Sequence, residues 1–214
     1  MLYVKASRCA YWWVLTKRDR ALGPEDLVGF LCEEGIRWVK AQREAHRPDA
    51  RPLLEGEKAR LRGFFAETSL DTVRIKTSPA IEAPEFLFLL RERRGVDPID
   101  FRFMVGITFV DTVVIRRSMA PSGPKWISLL FHEMVHVVQC ETLGIERFVE
   151  EYVKGWAAKG FDYYSIPMER QAYDLQARYE AGRDCVFSVN EEVRRDWVNE
   201  GHPEMRGDEG WKIL

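Results

Sequence analysis

The stretch 129–140, LLFHEMVHVVQC, constrains this chain more than any other part of it. It places His132, Glu133 and His136 inside an otherwise apolar run of helical character. Two histidines four residues apart lie one above the other on the same helix face, so both imidazoles can reach one metal ion. Glu133 lies one step round the helix, where its carboxylate can act as a general base beside the metal. The stretch therefore predicts a zinc site with the residue order of an H-E-x-x-H hydrolytic centre.

The residues around this motif predict that its helix is buried. Side chains such as Trp126, Phe131 and Val137 make the helix apolar nearly all round. Two histidines and a glutamate inside a core helix carry a large desolvation cost unless they are paired or bind a metal. Core polar residues satisfied by hydrogen bonds are the alternative, and the desolvation cost favours the metal. The helix is predicted to begin near Pro124 and to end near Gly144.

The motif needs a third ligand, because a catalytic zinc ion normally has three protein ligands and a water. Neither of the other histidines, His46 and His202, continues the motif. The residues after His136 are VVQCETLG, which lack the H-x-x-G-x-x-H continuation of a metzincin. The sequence therefore predicts that the third ligand is a carboxylate.

Glu169 is the best candidate for this carboxylate. It stands in the first turn of a helix that Pro167 is predicted to start. Ala172, three residues further on, is small enough to let that helix approach the histidine-bearing helix closely. Three other acidic residues fit the role less well: Glu150, Glu151 and Asp162. The alternative for Glu169 is an acidic residue that interacts only with the dipole of its own helix.

The pattern of apolar residues predicts an α+β fold in which a small twisted β-sheet lies beside the H-E-x-x-H helix. Strand patterns at 72–76 and 106–116 precede that helix. The predicted helices are 24–45, 54–66, 84–94, 124–144, 145–158, 167–181 and 188–200. This order of elements is what a zincin catalytic domain needs, with additional helices on its N-terminal and C-terminal sides.

Three regions are predicted along the chain: a helical N-terminal region at 1–68, a zincin-like domain at 69–201 and a loose tail at 202–214. Residues 1–22 fit either a buried strand or a helical turn. The role of the N-terminal helices is open at this point. They either serve only as structural packing or lie over an intact active site and hold it inactive.

The strongest strand pattern is 106–116, GITFVDTVVIR. At the sheet edge nearest the active site, this strand could hold an extended peptide through its free backbone groups. In the sheet interior it would have no ligand role. The sequence does not decide between these two positions.

Composition excludes several classes of function. The 214 residues carry 32 basic and 34 acidic side chains, a near-balance that argues against a nucleic-acid or membrane-surface role. No apolar run approaches the roughly eighteen residues needed to span a bilayer, and no signal peptide is recognised, so a cytoplasmic location is expected, with export by a signal-independent route as the alternative. The four cysteines lie far apart without a C-x-x-C pair, which predicts buried free thiols. Oligomeric state does not follow from the sequence.

Two segments, HEMVHVVQ and the later IPMERQAYDLQ, carry a family resemblance. Together they resemble the zincin-like (gluzincin) metallopeptidase domain found with extracellular contractile injection systems. The resemblance covers about residues 72–182 and leaves out the N-terminal helices. It implies that His132, His136 and Glu169 bind zinc and that Glu133 is the general base. Thermolysin-type gluzincins often have an aspartate four residues after the third ligand; here that position is Tyr173, so the outer partners of the histidines stay unassigned.

These residues predict a zinc metallopeptidase that acts on a peptide or protein substrate. Glu133 would take a proton from water and hand it to the leaving amine. The developing oxyanion needs a further donor, for which Tyr173 is favoured because it lies one helical turn from Glu169. Three other residues are candidates for the same role: Tyr163, Tyr164 and Arg170. A catalytically silent zincin-fold module that binds or targets within a larger assembly is the alternative function.

Overall fold

The computed structural model of this protein describes residues 24–88, 99–182 and 186–199. Three predictions lie outside these ranges: the ambiguous element at 1–22, the second half of the 84–94 helix and the tail at 202–214. Residues 86–88, the described remainder of the 84–94 helix, are helical. Cys32 and Cys140 are buried free thiols, as predicted, whereas Cys9 and Cys185 are not among the described residues.

Seven helices are numbered here in chain order. They are α1 (Pro24–His46), α2 (Glu55–Leu61), α3 (Glu67–Thr72), α4 (Pro124–Leu143), α5 (Ile145–Ala158), α6 (Pro167–Ala181) and α7 (Val189–Arg194). A π-helical turn, Arg195–Asn199, extends α7, and Ser188 caps α7 by accepting a hydrogen bond from the backbone N–H of Glu191. Helices α1, α4, α5 and α6 match the predicted spans to within a residue or two.

Four strands form one mixed sheet: β1 (Arg51–Pro52), β2 (Arg74–Ser78), β3 (Gly106–Phe109) and β4 (Thr112–Arg116). The strand order is β1-β2-β4-β3. β2 and β4 are parallel, while β1 and β3 run antiparallel to their neighbours. The predicted α+β class is confirmed in this form, a mostly helical chain with a small mixed sheet.

The prediction of a single strand over 106–116 was wrong, because the segment is a hairpin. Phe109 pairs with Thr112 across a turn made by Val110 and Asp111. Val110 has a φ of 63°, a conformation that β-branched residues rarely adopt, so the sequence carries no turn signal there. Asp111 is held by Arg43 of α1 and by Arg47, the residue that follows α1, and these ion pairs anchor the turn. Within the described sheet, β3 is an edge strand and β4 is interior.

Two predicted boundaries around residue 66 also need correction. The helix predicted over 54–66 ends at Leu61, since Gly63 has a left-handed φ of 91° and turns the chain. The strand predicted over 72–76 starts only at Arg74, because α3 occupies the residues before it. The polar residues of α3 gave no helical periodicity that would predict this short helix.

Helix α4 is the centre of the packing. It contacts β3 on one side and α2, α5, α6 and α7 on others. All its residues from Leu130 to Cys140 are buried, as the apolar pattern predicts. The buried apolar residues form one cluster that includes Leu31 and Val39 of α1. The boundary at residue 68 stays a prediction, although α1 packs on α5 and β1 pairs with β2 across it.

The described helices include none that is both long enough and apolar enough to cross a membrane.

Candidate metal centre

Helix α4 presents its two histidines and Glu133 on the side that faces α6 and β3. Pro124 occupies the first turn, which leaves about two turns of regular helix before His132. The relative exposures of His132, Glu133 and His136 are 6%, 4% and 6%. The Nε2 atoms of the two histidines lie 3.2 Å apart. The predicted histidine pair is therefore converged and buried.

Glu169 of α6 completes the group. Its Oε2 atom lies 3.4 Å from Nε2 of His132 and 3.5 Å from Nε2 of His136. Glu169 is itself only 4% exposed. Among the residues that the structure describes, these three form the only group of His, Cys, Asp or Glu arranged to hold a metal ion. The structure thus brings together the three residues that the sequence predicts as ligands.

The two oxygens of Glu169 have different surroundings. Oε1 accepts a hydrogen bond of 2.8 Å from the Tyr152 hydroxyl of α5. Oε2 is buried and has no hydrogen-bond partner among the described residues. A buried carboxylate oxygen without a partner is costly, by about 1–3 kcal/mol or more for a charged group. The side of Glu169 that faces the histidines is therefore the side that needs a further positive charge.

Charge balance points to the same place. Burial raises the pKa of Glu169, but the two histidines outweigh it and hold that pKa well below the usual range. Burial lowers the pKa of His136, but Glu169 outweighs it and holds that pKa above the usual range. The group therefore favours a cation between its three atoms, and a proton on His136 competes with a metal ion for that place.

Each histidine is oriented through its other ring nitrogen by a glutamine. Nδ1 of His136 lies 2.8 Å from Oε1 of Gln139, and Nδ1 of His132 lies 3.1 Å from Oε1 of Gln176. An amide oxygen in these positions accepts the Nδ1 proton, which leaves Nε2 as the lone-pair nitrogen. Glutamines thus provide the outer partners that the sequence leaves unassigned.

Hydrogen bonds to α4, to α6 and, through Gln171, to the π-helical turn hold these glutamines in place. Gln139 donates to Oε1 of Gln171, at 2.9 Å, and to a backbone carbonyl of α6. Gln171 donates to Asp196 and accepts from the indole of Trp197. Gln176 donates to Ser128 on α4. The orientation of both imidazoles therefore depends on how α6 and the π-helical turn pack against α4.

The carboxylate of Glu133 faces β3. Its Oε2 accepts a hydrogen bond of 2.7 Å from the Thr108 hydroxyl. A Cβ atom on Gly106 would lie 2.4 Å from Oε1 of Glu133, so any other residue at this position would displace the carboxylate from its present place. Burial raises the pKa of Glu133 despite the neighbouring histidines, as befits a base that works near neutral pH. The edge strand thus sets the position of the predicted base.

Tyr173, the predicted oxyanion donor, lies beside the histidines. Its ring centroid is 4.5 Å from that of His132, and the residue is 42% exposed. Burial and the nearby Glu169 raise its pKa to about 12, so its hydroxyl stays protonated near neutral pH. Of the rival tyrosines, Tyr163 lines the same cavity as Glu133, whereas Tyr164 is 73% exposed.

The rival carboxylates are placed elsewhere. Glu150 and Glu151 pair along the surface of α5 with Lys154 and Arg147. Asp162 accepts a hydrogen bond from Ser165 in the loop before α6. Of the remaining histidines, His46 pairs with a glutamine at the end of α1, and His202 is outside the described residues.

Five residues of the site were missed from the sequence: Gly106, Thr108, Gln139, Tyr152 and Gln176. Gly106 and Thr108 alternate on one face of β3, a signal that is readable only when the strand is known to touch α4. Gln176 stands seven residues after Glu169 and shares its helix face, so it could have been found once Glu169 was assigned. Tyr152 carries no local signal, since an aromatic residue in an apolar stripe reads as core.

Comparison with known proteins adds nothing to these observations, since no protein-family model, curated protein or solved structure matches the chain.

Proposed function

We propose that this protein is a zinc-dependent metallopeptidase of the gluzincin type, with His132, His136 and Glu169 as ligands and Glu133 as general base. The observation that carries the proposal is the buried triangle of two Nε2 atoms and one carboxylate oxygen, with Glu133 beside it. Its sides are 3.2, 3.4 and 3.5 Å. Such a centre requires at least three ligand atoms at short separations from one another and a base next to them.

The donor set supports zinc in particular. Tetrahedral ligands at the usual zinc bond lengths of about 2.0–2.1 Å lie about 3.3–3.4 Å from one another. The three sides of the triangle are within about 0.2 Å of that separation. Two imidazoles and one carboxylate are a known catalytic zinc set, and Oε2 of Glu169 accepts no hydrogen bond from the described residues. These features support zinc more than magnesium or calcium, which prefer all-oxygen sites.

When bound, zinc supplies a water whose pKa is lowered toward about 7 and polarises a carbonyl oxygen. The chain's own residues do the rest. Glu133 accepts the water proton and later delivers it to the leaving amine. Gly106 and Thr108 hold its carboxylate in place. The hydroxyl of Tyr173 donates a hydrogen bond to the developing oxyanion.

The edge strand supports a peptide as the substrate. β3 is at the end of the described strand order and packs against α4 next to Glu133. Unpaired backbone groups on such a strand can bind an extended chain by strand addition. A peptide bound in this way would lie along the site with one carbonyl close to the ligands.

The alternative of a silent binding module has less support. A structural zinc site normally has four protein ligands, whereas a catalytic site has three. The metal-binding group found among the described residues has three members. This count favours a hydrolytic centre over a structural one.

Metal content and hydrolysis, measured on four proteins, test the proposal. Zinc is determined by mass spectrometry in the wild type, Glu169→Ala, Glu133→Gln and the surface control Glu150→Ala, and each protein is incubated with a mixed peptide library. We expect zinc in all but Glu169→Ala and hydrolysis only in the wild type and Glu150→Ala. Undiminished hydrolysis by Glu133→Gln would disprove the role of the base, and zinc retained by Glu169→Ala would disprove the ligand.

A further inference from the structure

A cavity of about 140 Å³ opens directly beside Glu133. The polar part of its lining consists of the candidate centre with Thr108, Tyr152 and Tyr163. The rest is apolar and has walls from three parts of the chain. Helix α1 contributes Leu31, Trp38 and Val39; helix α5 contributes Val153 and Trp156; the third wall includes Ile107 of β3. The cavity is thus lined both by the candidate centre and by residues of the apolar core.

The size of the cavity sets what it can hold. A dry cavity of about 150 Å³ lined by Leu, Ile and Phe side chains is known to accept benzene. The present cavity is of the same size and lining, so it fits one Leu, Ile, Met or Phe side chain. The apolar walls disfavour a charged side chain, because burial of a charge away from Glu133 and Glu169, the acidic residues of the lining, is very costly.

We propose that this cavity is the specificity pocket of the centre and receives a large apolar side chain of the peptide, next to the bond that is cut. The proposal rests on the peptidase function proposed above. The shared lining carries the proposal: one cavity is lined both by Glu133 and by the apolar side chains of Trp38 and Val153. Full burial of a Leu or Phe side chain should strengthen peptide binding by roughly 10- to 100-fold, which is enough to decide which bond is cut.

Helix α1, the N-terminal helix among the described residues, forms one wall of this pocket. Leu31 and Val39 of α1 are buried in the common core, with relative exposures of 1% and 8%. Trp38 contacts Phe101 and Phe109 edge-to-face, which ties the pocket wall to the sheet. Helix α1 is therefore a wall of the pocket and not a removable cover, and its deletion would open the core. Point variants are the appropriate test.

Binding of an apolar probe tests the pocket without any need for hydrolysis or metal. Toluene is titrated into the full chain while the indole N–H signals are followed by NMR, each assigned through a Trp→Phe variant. Trp38 and Trp156 line the cavity, whereas Trp126 and Trp197 do not and serve as internal controls. We expect saturable shifts of the first two signals. The absence of such shifts would overturn the proposal.

Variants in which a larger side chain fills the cavity test whether toluene binds there. Val153→Phe fills it from α5 and Ile107→Phe from β3, so failure of one to fold leaves the other. Val198→Phe, at a 51% exposed position outside the cavity, is the matched control. We expect toluene affinity to fall by about tenfold or more in the filled variants, in line with the loss of an apolar site. Unchanged affinity in both would show that toluene binds elsewhere and would overturn the pocket.

Peptide profiling separates the pocket from the peptidase function. For the wild type, we expect bonds next to Leu, Ile, Met or Phe to be cut about tenfold or more faster than bonds next to Ala, and the filled variants to lose this preference. Cleavage without side-chain preference would overturn the pocket and leave the peptidase intact. Toluene binding without any peptide hydrolysis would leave the cavity as an apolar binding site but overturn both the peptidase and the role of the cavity as its specificity pocket.

Discussion

At the residue scale, the position of Glu133, the predicted base, depends on the absence of a side chain at position 106. Oε1 of Glu133 occupies the space in which any residue but glycine at position 106 would place its Cβ. Thr108, on the same face of β3, holds the other carboxylate oxygen at 2.7 Å. The reach of Glu133 toward the histidines is therefore fixed by two small residues of a neighbouring strand.

The first prediction concerns Gly106→Ala. A methyl group there displaces the Glu133 carboxylate, so peptide hydrolysis should fall by about 100-fold or more, the usual contribution of a positioned general base. Zinc content should not change, because the atoms nearest to a Cβ at position 106 belong to Glu133 and Ile115, which are not among the proposed ligands. The control is Gly29→Ala on α1, where a Cβ would meet nothing within 4 Å. Turnover and metal content of the two variants are compared; equal turnover would contradict the prediction.

The second prediction concerns the glutamines that orient the imidazoles. Gln139→Ala removes the acceptor for Nδ1 of His136 and should weaken zinc binding by about 10- to 100-fold, as loss of such outer partners usually does. Gln42→Ala is a matched control, since Gln42 pairs with His46, a histidine outside the centre. Affinity is measured by competition with a fluorescent chelator. A Gln139 variant that binds zinc as tightly as the control would be evidence against the orienting role.

At the element scale, the hairpin of β3 and β4 is held to α1 by one carboxylate. Arg43 donates two hydrogen bonds of 2.8 Å to Asp111, and Arg47 lies 3.0 Å from it. Burial raises the pKa of Asp111, but the two arginines outweigh it and hold that pKa below its usual value. This cluster keeps the unusual turn closed and so positions β3 against Glu133.

The third prediction follows from that pKa. Because the folded-state pKa of Asp111 is depressed, its stabilising contribution is full above the unfolded value of about 3.9 and is lost as pH falls through the folded value. Asp111→Asn should therefore lower the free energy of unfolding by about 2 kcal/mol at pH 7 and by less near pH 3. Urea denaturation at both pH values measures this. Asp71→Asn, which breaks an exposed ion pair with Lys58, should have a much smaller effect.

At the scale of the whole molecule, the candidate ligands join separate parts of the fold. His132 and His136 belong to α4, whereas Glu169 belongs to α6 and is braced by Tyr152 of α5. An ion bound to all three would link these helices in the folded state only. Metal binding and stability are therefore expected to be coupled.

The fourth prediction is a zinc-dependent rise in Tm. At a free zinc concentration of about 100 times Kd, the native state gains about 2.7 kcal/mol, which corresponds to roughly 5–10 °C for a chain of this size. Glu169→Ala should abolish the rise, and magnesium should not produce it in the wild type. Differential scanning calorimetry with and without a chelator gives the result. An equal rise in the Glu169 variant would place the stabilising zinc elsewhere.

The sequence by itself determined the four long helices, the burial of α4 and the residues that form the candidate centre. These are local properties: helical periodicity, a proline at a helix start, and two histidines at a spacing that puts them on one face. Glu169 also followed, because its helix was readable and few other ligands were available. Cys32 and Cys140 were predicted correctly as buried thiols for a similar reason.

Only the tertiary structure decided the rest. The turn at Val110 has no sequence signal, since a β-branched residue adopts it only because α1 anchors Asp111. The need for glycine at 106, the glutamines behind the imidazoles and the apolar cavity all arise where elements distant in sequence meet. Such contacts depend on how helices and strands are packed, and no periodicity along the chain records which faces will touch.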